Sequence, residues 1–226
     1  MTHILDRPVW SALQTVHAHL GEGDERARRF MPDVSPFAAT CDDSPENLAA
    51  LGRLVADGKP LLMLTAGRVH LPPGMTPDRT AEGVQMVSEA EIEPMPDPRI
   101  TPLGAGDIAE MLALARLTNP GPFTLRAREL GGFWGIRQGG RLVAMAGERL
   151  KQPGYVELSG VCVHPDARGQ GLARQLSLHV SKQIRQGGNT PYLHAFATNI
   201  AAIRLYESIG FRLRSAMDVA MIDARS

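Results

Sequence analysis

The chain has little that marks a secreted, membrane-spanning or nucleic-acid-binding protein. Its 226 residues hold 24 basic and 24 acidic side chains, so no net charge attracts nucleic acid or an acidic membrane. No stretch approaches the roughly 18 apolar residues of a membrane helix, and Asp6 and Arg7 interrupt any apolar run near the start. Cys41 and Cys162 have the spacing of neither a disulfide framework nor a metal site. We expect a soluble, cytoplasmic protein without a metal, nucleic-acid or membrane partner.

Proline divides the chain near its middle. Pro94, Pro96 and Pro98 fall within five residues, a pattern that resists both helix and central strand and favours an extended connector. We therefore place a domain boundary near Pro98. Residues 1–97 form an N-terminal α/β region of unknown role, and residues 98–226 form a second domain.

The N-terminal region shows two helical and two strand-like patterns. Apolar residues at helical spacing from Val9 to Leu20 predict the first helix, while Ser44 and Gly58 mark the N-cap and the end of the second. The runs LLMLTA and GVQMVSEA are typical of short strands. This half carries no defensible constellation of catalytic residue types.

Strands and helices alternate in the second half. A helix is predicted after Asp107, and the run GGFWGIRQGGRLVAMAGERL predicts a hairpin that turns at Gly139-Gly140. GYVELSGVCV predicts a buried third strand, followed by a helix from Gly171, the strand TPYLHAFAT, a short helix and a last strand from Phe211. A strand, a helix and a further strand in this order imply a right-handed crossover between two parallel central strands.

The junction between the third strand and the next helix carries the motif VHPDARGQGLA. The first amides of a helix lack partners within the helix and lie at the positive end of its dipole, so they suit an anion. Gly169 and Gly171 allow close approach of the backbone to a pyrophosphate, and Arg168 adds positive charge. The motif lacks the lysine of a P-loop and the third glycine of a dinucleotide-binding turn. A structural glycine turn and a small nucleotide-binding protein remain alternatives.

A second motif begins 26 residues after Ala173 and reads Asn199-x-x-Ala202-x-x-Leu205-Tyr206-Glu207-x-x-Gly210-Phe211. Together the two motifs resemble the GNAT superfamily of acyl-CoA-dependent N-acyltransferases over residues 98–226, in particular the group with an additional N-terminal half. The resemblance implies a mixed central sheet with splayed parallel strands and helices on both faces. It also implies an enzyme that moves an acetyl group directly from acetyl-CoA to a primary amine of a small molecule or peptide, through a tetrahedral intermediate.

One departure from the family pattern bears on the acceptor site. GNAT domains usually end in two strands after the helix that contains the tyrosine, whereas this sequence has one. Residues 1–97 or a second subunit, in a homodimer, would then supply the missing wall. The alternative is a non-catalytic acyl-CoA-binding or interaction module. The loop from Gly121 to Arg126 lies where acceptor loops lie in related folds, and Arg126 or Arg128 could meet a carboxylate there, although solvated surface arginines are commoner.

The resemblance also assigns the residues that bind the donor. The backbone near Val161 and Val163 would face the donor, beside an irregularity expected at Ser159-Gly160 because glycine in a buried strand often marks a bulge. Asn199 would cap its helix or contact the pantetheine arm. The predicted cofactor-binding residues are Val161, Cys162, Val163, Arg168, Gly169, Gln170, Gly171, Leu172, Ala173, Asn199, Ala202 and Tyr206.

Two residues are the predicted catalytic groups. Tyr206 would act as general acid toward the departing thiolate, since a phenol is protonated at neutral pH. Glu157 would act as base, because burial in a strand should raise the pKa of its carboxyl group. Pairing of Glu157 with Arg137 or Arg141, His194 as the base, and a chain of water molecules without a dedicated base are the alternatives.

Overall fold

The computed structural model describes residues 3–55, 59–90, 93 and 95–223. Gly58, predicted to end the second helix, and Pro94, in the proline-rich connector, lie outside the described residues.

Five α-helices and eleven β-strands occupy the described residues. The helices are α1 (Pro8–Gln14), α2 (Pro45–Val55), α3 (Ile108–Thr118), α4 (Leu172–Gln186) and α5 (Ile200–Ser208). The strands are β1 (Gly21–Gly23), β2 (Ala27–Phe30), β3 (Ala38–Thr40), β4 (Leu61–Ala66), β5 (Arg79–Ser88), β6 (Ile100–Pro102), β7 (Phe133–Gln138), β8 (Arg141–Gln152), β9 (Tyr155–Val163), β10 (Thr190–Phe196) and β11 (Phe211–Ile222).

One large mixed sheet dominates the fold. Its strand order is β4-β11-β5-β10-β9-β8-β7-β6, and β1, β2 and β3 form a separate small sheet. Within the described pairings of the large sheet, β9 and β10 are the one parallel pair, and every other neighbouring pair is antiparallel. The sheet therefore confirms the predicted mixed architecture and the predicted parallel pair at its centre.

Helices cover both faces of this sheet. Along β8, Ala144 and Ala146 join the apolar cluster that contains Leu176 of α4, whereas Met145 joins the cluster that contains Met111 of α3. Because successive side chains of a strand point to opposite faces, α3 and α4 lie on opposite sides of the sheet. Helix α5 shares the cluster of α4. Both β9 and β10 are thereby covered on two faces, as their apolar sequences predict.

Local signals set most of the element boundaries. Gly139 and Gly140 have φ values of +55° and +81°, which fit the two-residue turn that joins β7 to β8. Gly187 follows the last residue of α4, as predicted. The first helix is shorter than predicted: α1 ends at Gln14, and the side chain of Val16 is 46% exposed.

Strands from the N-terminal region complete the large sheet. The last strand, β11, lies between β4 and β5, and β5 also pairs with β10. The family pattern has a second strand after β11, which this sequence lacks. Here β5, from residues 1–97, lies between β11 and β10. Strands from both sides of Pro98 share one sheet, and the division into two domains stays a prediction.

Candidate active site

The two parallel strands at the centre of the sheet separate part of the way along their length. Residues Tyr155–Glu157 of β9 pair with Thr190–Tyr192 of β10, and the pairing ends there although β9 continues to Val163 and β10 to Phe196. The separation opens a gap within a sheet whose other strands stay paired. A ligand can therefore enter between two buried strands without disrupting a hydrogen-bonded ladder.

A bulge in β9 lies beside this gap. Ser159 pairs with Gly147 and Cys162 with Met145, so two residues of β9 stand opposite one residue of β8. Gly160 within the bulge has a φ of +63°, and a Cβ atom at this position would lie 2.9 Å from the ring of Phe133. Glycine is needed there for both reasons, and the predicted irregularity at Ser159-Gly160 is confirmed.

The bulge directs backbone groups of β9 into the gap. The N–H of His164 donates to the carbonyl oxygen of Val143 on β8 at 2.7 Å. Because backbone groups alternate sides along a strand, the N–H and C=O of Val163 face away from β8, toward the gap. The same alternation places the backbone of Val161 on the gap side.

A cleft of about 180 Å³ occupies the gap. One side, here called the α5 side, is formed by Asn199, Ala202 and Tyr206. The opposite side, here called the arginine side, is formed by Phe37, Pro120, Gly121, Pro122 and Arg149. Val161, Ser159, Gly160 and His194 line the cleft between them, and its wall also includes Leu62, Leu64, Gly83 and Val219.

The predicted pyrophosphate loop lies where β9 passes into α4. Gly169 and Gly171 have φ values of +76° and +71°, a backbone conformation that favours glycine, and no atom of the described chain lies within 4 Å of a Cβ built on either. In the first backbone hydrogen bond of α4, the N–H of Gln175 donates to the carbonyl oxygen of Gly171 at 3.1 Å. The N–H groups of Leu172 and Ala173 therefore precede the helical ladder and are available to an anion.

The other residues of this loop contribute in different ways. Arg168 and Gln170 are exposed, and the side-chain oxygen of Gln170 accepts from Nε2 of Gln138 at 2.9 Å. Leu172 is buried in the core cluster of α4. Residues 168–173 do not line the cleft itself but continue from the end of β9 that borders it.

Tyr206 presents its ring to the cleft from α5. The residue is 9% exposed and packs edge-on against Phe211, with ring centroids 6.0 Å apart. Burial raises the pKa of its phenol to about 12, so the group holds its proton at neutral pH. Asn199 lines the cleft beside it and also caps α5, since its Oδ1 accepts from the N–H of Ala202 at 3.2 Å.

Cys162 lies next to the gap in sequence, but its thiol points elsewhere. Its side chain belongs to the cluster under α3, together with Phe133 and Met145. Burial raises the pKa of the thiol to about 11, which keeps the sulfur protonated and poorly nucleophilic. The alternation that turns the backbone of Val161 and Val163 toward the gap turns that of Cys162 toward β8, so neither the thiol nor the backbone of Cys162 faces the gap.

Glu157 is bound by hydrogen bonds on both carboxylate oxygens. Its Oε1 accepts from Nη2 of Arg149 at 2.6 Å and from Nδ1 of His194 at 2.7 Å. Its Oε2 accepts from Nε of Arg149 at 2.8 Å and from the N–H of Leu150 at 3.1 Å. The residue is fully buried behind these donors.

The predicted increase in the pKa of Glu157 is therefore wrong. Burial alone would raise it, but the charge of Arg149 and the hydrogen bonds from Arg149 and His194 outweigh burial and hold the pKa far below its usual value. The partner is Arg149, not Arg137 or Arg141. Arg137 instead binds Asp107 and Glu110 at the far end of the hairpin.

His194, the second candidate base, is held in one tautomer by a chain of hydrogen bonds. Nη1 of Arg214 donates to Oε1 of Gln85 at 2.8 Å, which turns the amide nitrogen of Gln85 toward Nε2 of His194 at 2.9 Å. Because that nitrogen donates, Nε2 of His194 is an acceptor and Nδ1 carries the hydrogen shared with Glu157. The lone pair on Nε2 of His194, which would have to accept the proton of the amine, already accepts the hydrogen bond from Gln85.

Arg126 and His164 each have structural partners. Arg126 forms ion pairs with Asp33 at 3.1 Å and Glu129 at 2.6 Å, so it is tied to its own loop. Nδ1 of His164 accepts from the N–H of Asp166 at 3.2 Å and caps the short turn before the glycine motif.

Several residues that line the cleft could not be identified from the sequence. Phe37, Leu62 and Leu64 belong to a half of the chain without catalytic patterning, and they reach the cleft because β4 joins the large sheet. Arg149 carried no signal that would have singled it out, because Glu148 and Lys151 beside it are charged as well. The loop at Gly121, in contrast, was expected near an acceptor and does line the cleft.

The described residues contain neither a membrane-spanning helix nor a metal-binding cluster. No helix among them is long and apolar enough to cross a membrane. Within the same ranges, no three histidine, cysteine, aspartate or glutamate side chains are grouped so that they could hold a metal ion.

Comparison with known proteins agrees with this architecture. The profile of the family described as FR47-like protein matches residues 133–219. A crystal structure of a GNAT-family protein from Novosphingobium aromaticivorans DSM 12444 is similar to this chain with 40% sequence identity and a TM-score of 0.92, over 98% of this chain and 99% of that one. A GCN5-related N-acetyltransferase from Kribbella flavida shares the fold with 18% identity and a TM-score of 0.68, over 99% of this chain and 97% of its own.

A shorter segment of the chain is similar to an enzyme with a known substrate. The [ribosomal protein bS18]-alanine N-acetyltransferase of Escherichia coli K12 is 36% identical over 77 residues, which are 34% of this chain and 51% of that enzyme. This chain thus spans about half the length of the curated relatives it matches.

Proposed function

This chain belongs to the GNAT family of acetyltransferases, and we propose that it transfers an acetyl group from acetyl-CoA to a primary amine of a small molecule or peptide. In that reaction the amine nitrogen bonds to the thioester carbon, the carbon–sulfur bond breaks, the amine loses a proton and the departing thiolate gains one. Acetyl-CoA supplies the activated acyl carbon.

The separation of β9 from β10 is the observation that carries the proposal. It leaves the backbone of Val161 and Val163 without a partner on β10, and the glycine loop follows the end of β9. Backbone N–H groups along the gap would hold the pantetheine arm and the acyl oxygen, and the amides of residues 169–173 would hold the pyrophosphate. Both sets of donors are preorganised by the sheet and by α4, so binding does not require them to rearrange.

Tyr206 is the proposed general acid. Its phenol stays protonated at neutral pH, it lines the cleft, and Ala202 one turn earlier on the same face of α5 leaves space beside the ring. A proton passing from this phenol to the thiolate would prevent the thiolate from attacking the product. Asn199 fixes the start of α5 and thereby the position of Tyr206.

We assign Glu157 a positioning role in place of the proton removal expected from its sequence. Three of its four hydrogen bonds hold Arg149 and His194 against the cleft, the fourth comes from the N–H of Leu150, and its low pKa makes it a poor proton acceptor. Deprotonation of the amine is then left to water, which suits an α-amino group with a reference pKa of about 8.

Release of free thiol from acetyl-CoA in the presence of a panel of primary amines tests the proposal. We expect release that depends on an amine and that falls in the Tyr206→Phe variant. Acetyl-CoA binding without thiol release for any amine would favour the non-catalytic acyl-CoA-binding module instead. The completed sheet, in which β5 separates β11 from β10, supports the enzyme because the acceptor wall is then present.

A further inference from the structure

Arg149 on the arginine side of the cleft uses only part of its hydrogen-bonding capacity. Glu157 binds Nε and Nη2, which form one edge of the guanidinium group. Nη1 makes no hydrogen bond to any residue of the described chain, and it lies 4.0 Å from the point where a Cβ atom on Gly121 would stand. The absence of a side chain at Gly121 leaves this nitrogen open to the cleft.

The free edge of Arg149 is rigidly placed. The two bonds to Glu157 fix the plane of the guanidinium group, and its carbon lies 4.9 Å from the centre of the Phe37 ring. The side chain is 13% exposed, so little of it is free to move into solvent. Its unused edge comprises Nη1 and the second hydrogen of Nη2, two parallel donors that match the two oxygens of a carboxylate.

The charge pattern of the cleft favours an anionic group over a cationic one. Among the described residues that line the cleft there is no aspartate or glutamate. Glu157 stands behind Arg149 and is fully buried, so the ion pair presents its positive end to the cleft. A polyamine or a lysine side chain would find no counter-charge there, whereas a carboxylate would find a preorganised partner.

We propose that the acceptor is a small molecule of the α-amino acid class, whose carboxylate binds the free edge of Arg149 while its amine faces the acyl group. This inference rests on the proposed function and narrows its acceptor. A carboxylate adjacent to the amine suits the cleft because it offers two oxygens and a negative charge to the two parallel donors, whereas the carbonyl group of a peptide offers one neutral oxygen.

Paired acceptors test the inference on the unmodified protein. Each α-amino acid is compared with its own α-amino amide, which keeps the amine and the side chain and replaces the carboxylate with a neutral group. Because this change also lowers the pKa of the amine, kcat/KM is expressed per concentration of free amine. For the best acceptor we expect kcat/KM to exceed that of its amide by tenfold or more, as loss of a charge-assisted pair implies. Dipeptides with the same N-terminal residue should resemble the amides.

Two variants assign the preference to Arg149. Arg149→Lys keeps the charge but loses the planar fork, and Arg149→Met combined with Glu157→Gln removes both charges of the buried pair. We expect each to lower the acid-to-amide ratio toward one while acetyl-CoA affinity changes little. Arg126→Ala is the matched control, since Arg126 is engaged by Asp33 and Glu129 outside the cleft, and it should keep the wild-type ratio.

The outcomes separate this inference from the function it rests on. Amides or dipeptides acetylated as well as the free acids would overturn the inference and leave amine acetylation standing. An acid preference that survives in a folded Arg149→Lys protein would also overturn it. Acetyl-CoA bound but no thiol released with any acid, amide or dipeptide would overturn both.

Discussion

The two sides of the cleft differ in how the chain builds them. The α5 side and the glycine loop come from short contiguous segments, and their groups are backbone amides, a helix cap and one tyrosine. The arginine side joins Phe37, Gly121 and Arg149, which are separated by long stretches of sequence and meet only in the folded sheet. The proposed donor site is therefore encoded locally, whereas the proposed acceptor site depends on tertiary pairing.

The largest expected effect comes from breaking the buried ion pair on the arginine side. Arg149→Met leaves the carboxylate of Glu157 buried without its counter-ion, which should lower the free energy of unfolding by about 3–5 kcal/mol. Urea denaturation measures the loss. The double variant Arg149→Met with Glu157→Gln should recover most of it, and a single variant as stable as wild type would contradict the pairing.

The same pair predicts how stability depends on pH. Because the pKa of Glu157 is lower in the folded protein than in the unfolded chain, its contribution is complete above the unfolded pKa and is lost as pH falls toward the folded pKa. The stability difference between wild type and the double variant should therefore shrink in acid and stay constant near neutral pH. A difference that grows as pH falls would be inconsistent with this sign.

The next effect concerns chemistry on the α5 side. Tyr206→Phe should lower kcat by more than about tenfold with little change in acetyl-CoA affinity, as removal of a general acid does. Steady-state kinetics and a binding titration separate the two. Tyr155→Phe, which alters a tyrosine packed against His3 and Tyr192 and not lining the cleft, is the control. Equal kcat in wild type and Tyr206→Phe would remove Tyr206 from the reaction.

A smaller effect tests the glycine loop alone. Gly171→Ala should weaken acetyl-CoA binding by about tenfold, equivalent to about 1.4 kcal/mol, because a Cβ atom would enter the space left for the pyrophosphate. Gly188→Ala at the other end of α4 is the matched control: its φ is +77° and its surroundings are equally open. If both variants bind equally well, the loop is not the phosphate site.

The last prediction is that the phenol of Tyr206 does not ionise between pH 6 and 10. kcat/KM should rise as the acceptor amine loses its proton and should show no decrease up to pH 10, since burial raises the pKa of Tyr206 to about 12. A pH profile from 6 to 10 checks this. A decrease between pH 8 and 10 that disappears in Tyr206→Phe would show that the phenol ionises much earlier.

The contrast between the two sides also explains what the sequence could predict. The strand β9, the glycine loop, α4, α5 and the parallel pair all follow from local periodicity and caps, and each is present. The bulge at Gly160 was predictable for the same reason. The register between β8 and β9 could not be predicted from the sequence.

That register decides the partner of Glu157. Glu148 pairs with Leu158 and Lys151 with Val156, so Arg149 and Leu150 stand together opposite Glu157 at a second irregularity. A bulge shifts the pairing by one residue and reverses which side chains face each other. The sequence offered Arg137 and Arg141 as possible partners, and this register excludes both. The position of β4 and β5 in the large sheet could not be predicted either, because pairing between strands distant in sequence leaves no local pattern.

A thermal melt with and without excess acetyl-CoA tests the central claim, that the separated strands and the glycine loop form one acyl-CoA site. Ligand at a hundred times its dissociation constant adds about 2.7 kcal/mol, which should raise the melting temperature by several degrees in a chain of this size. We predict that shift for acetyl-CoA and a smaller one for ATP or ADP at the same concentration, since neither carries a pantetheine arm. No shift with acetyl-CoA, or an equal shift with ATP, would contradict the site.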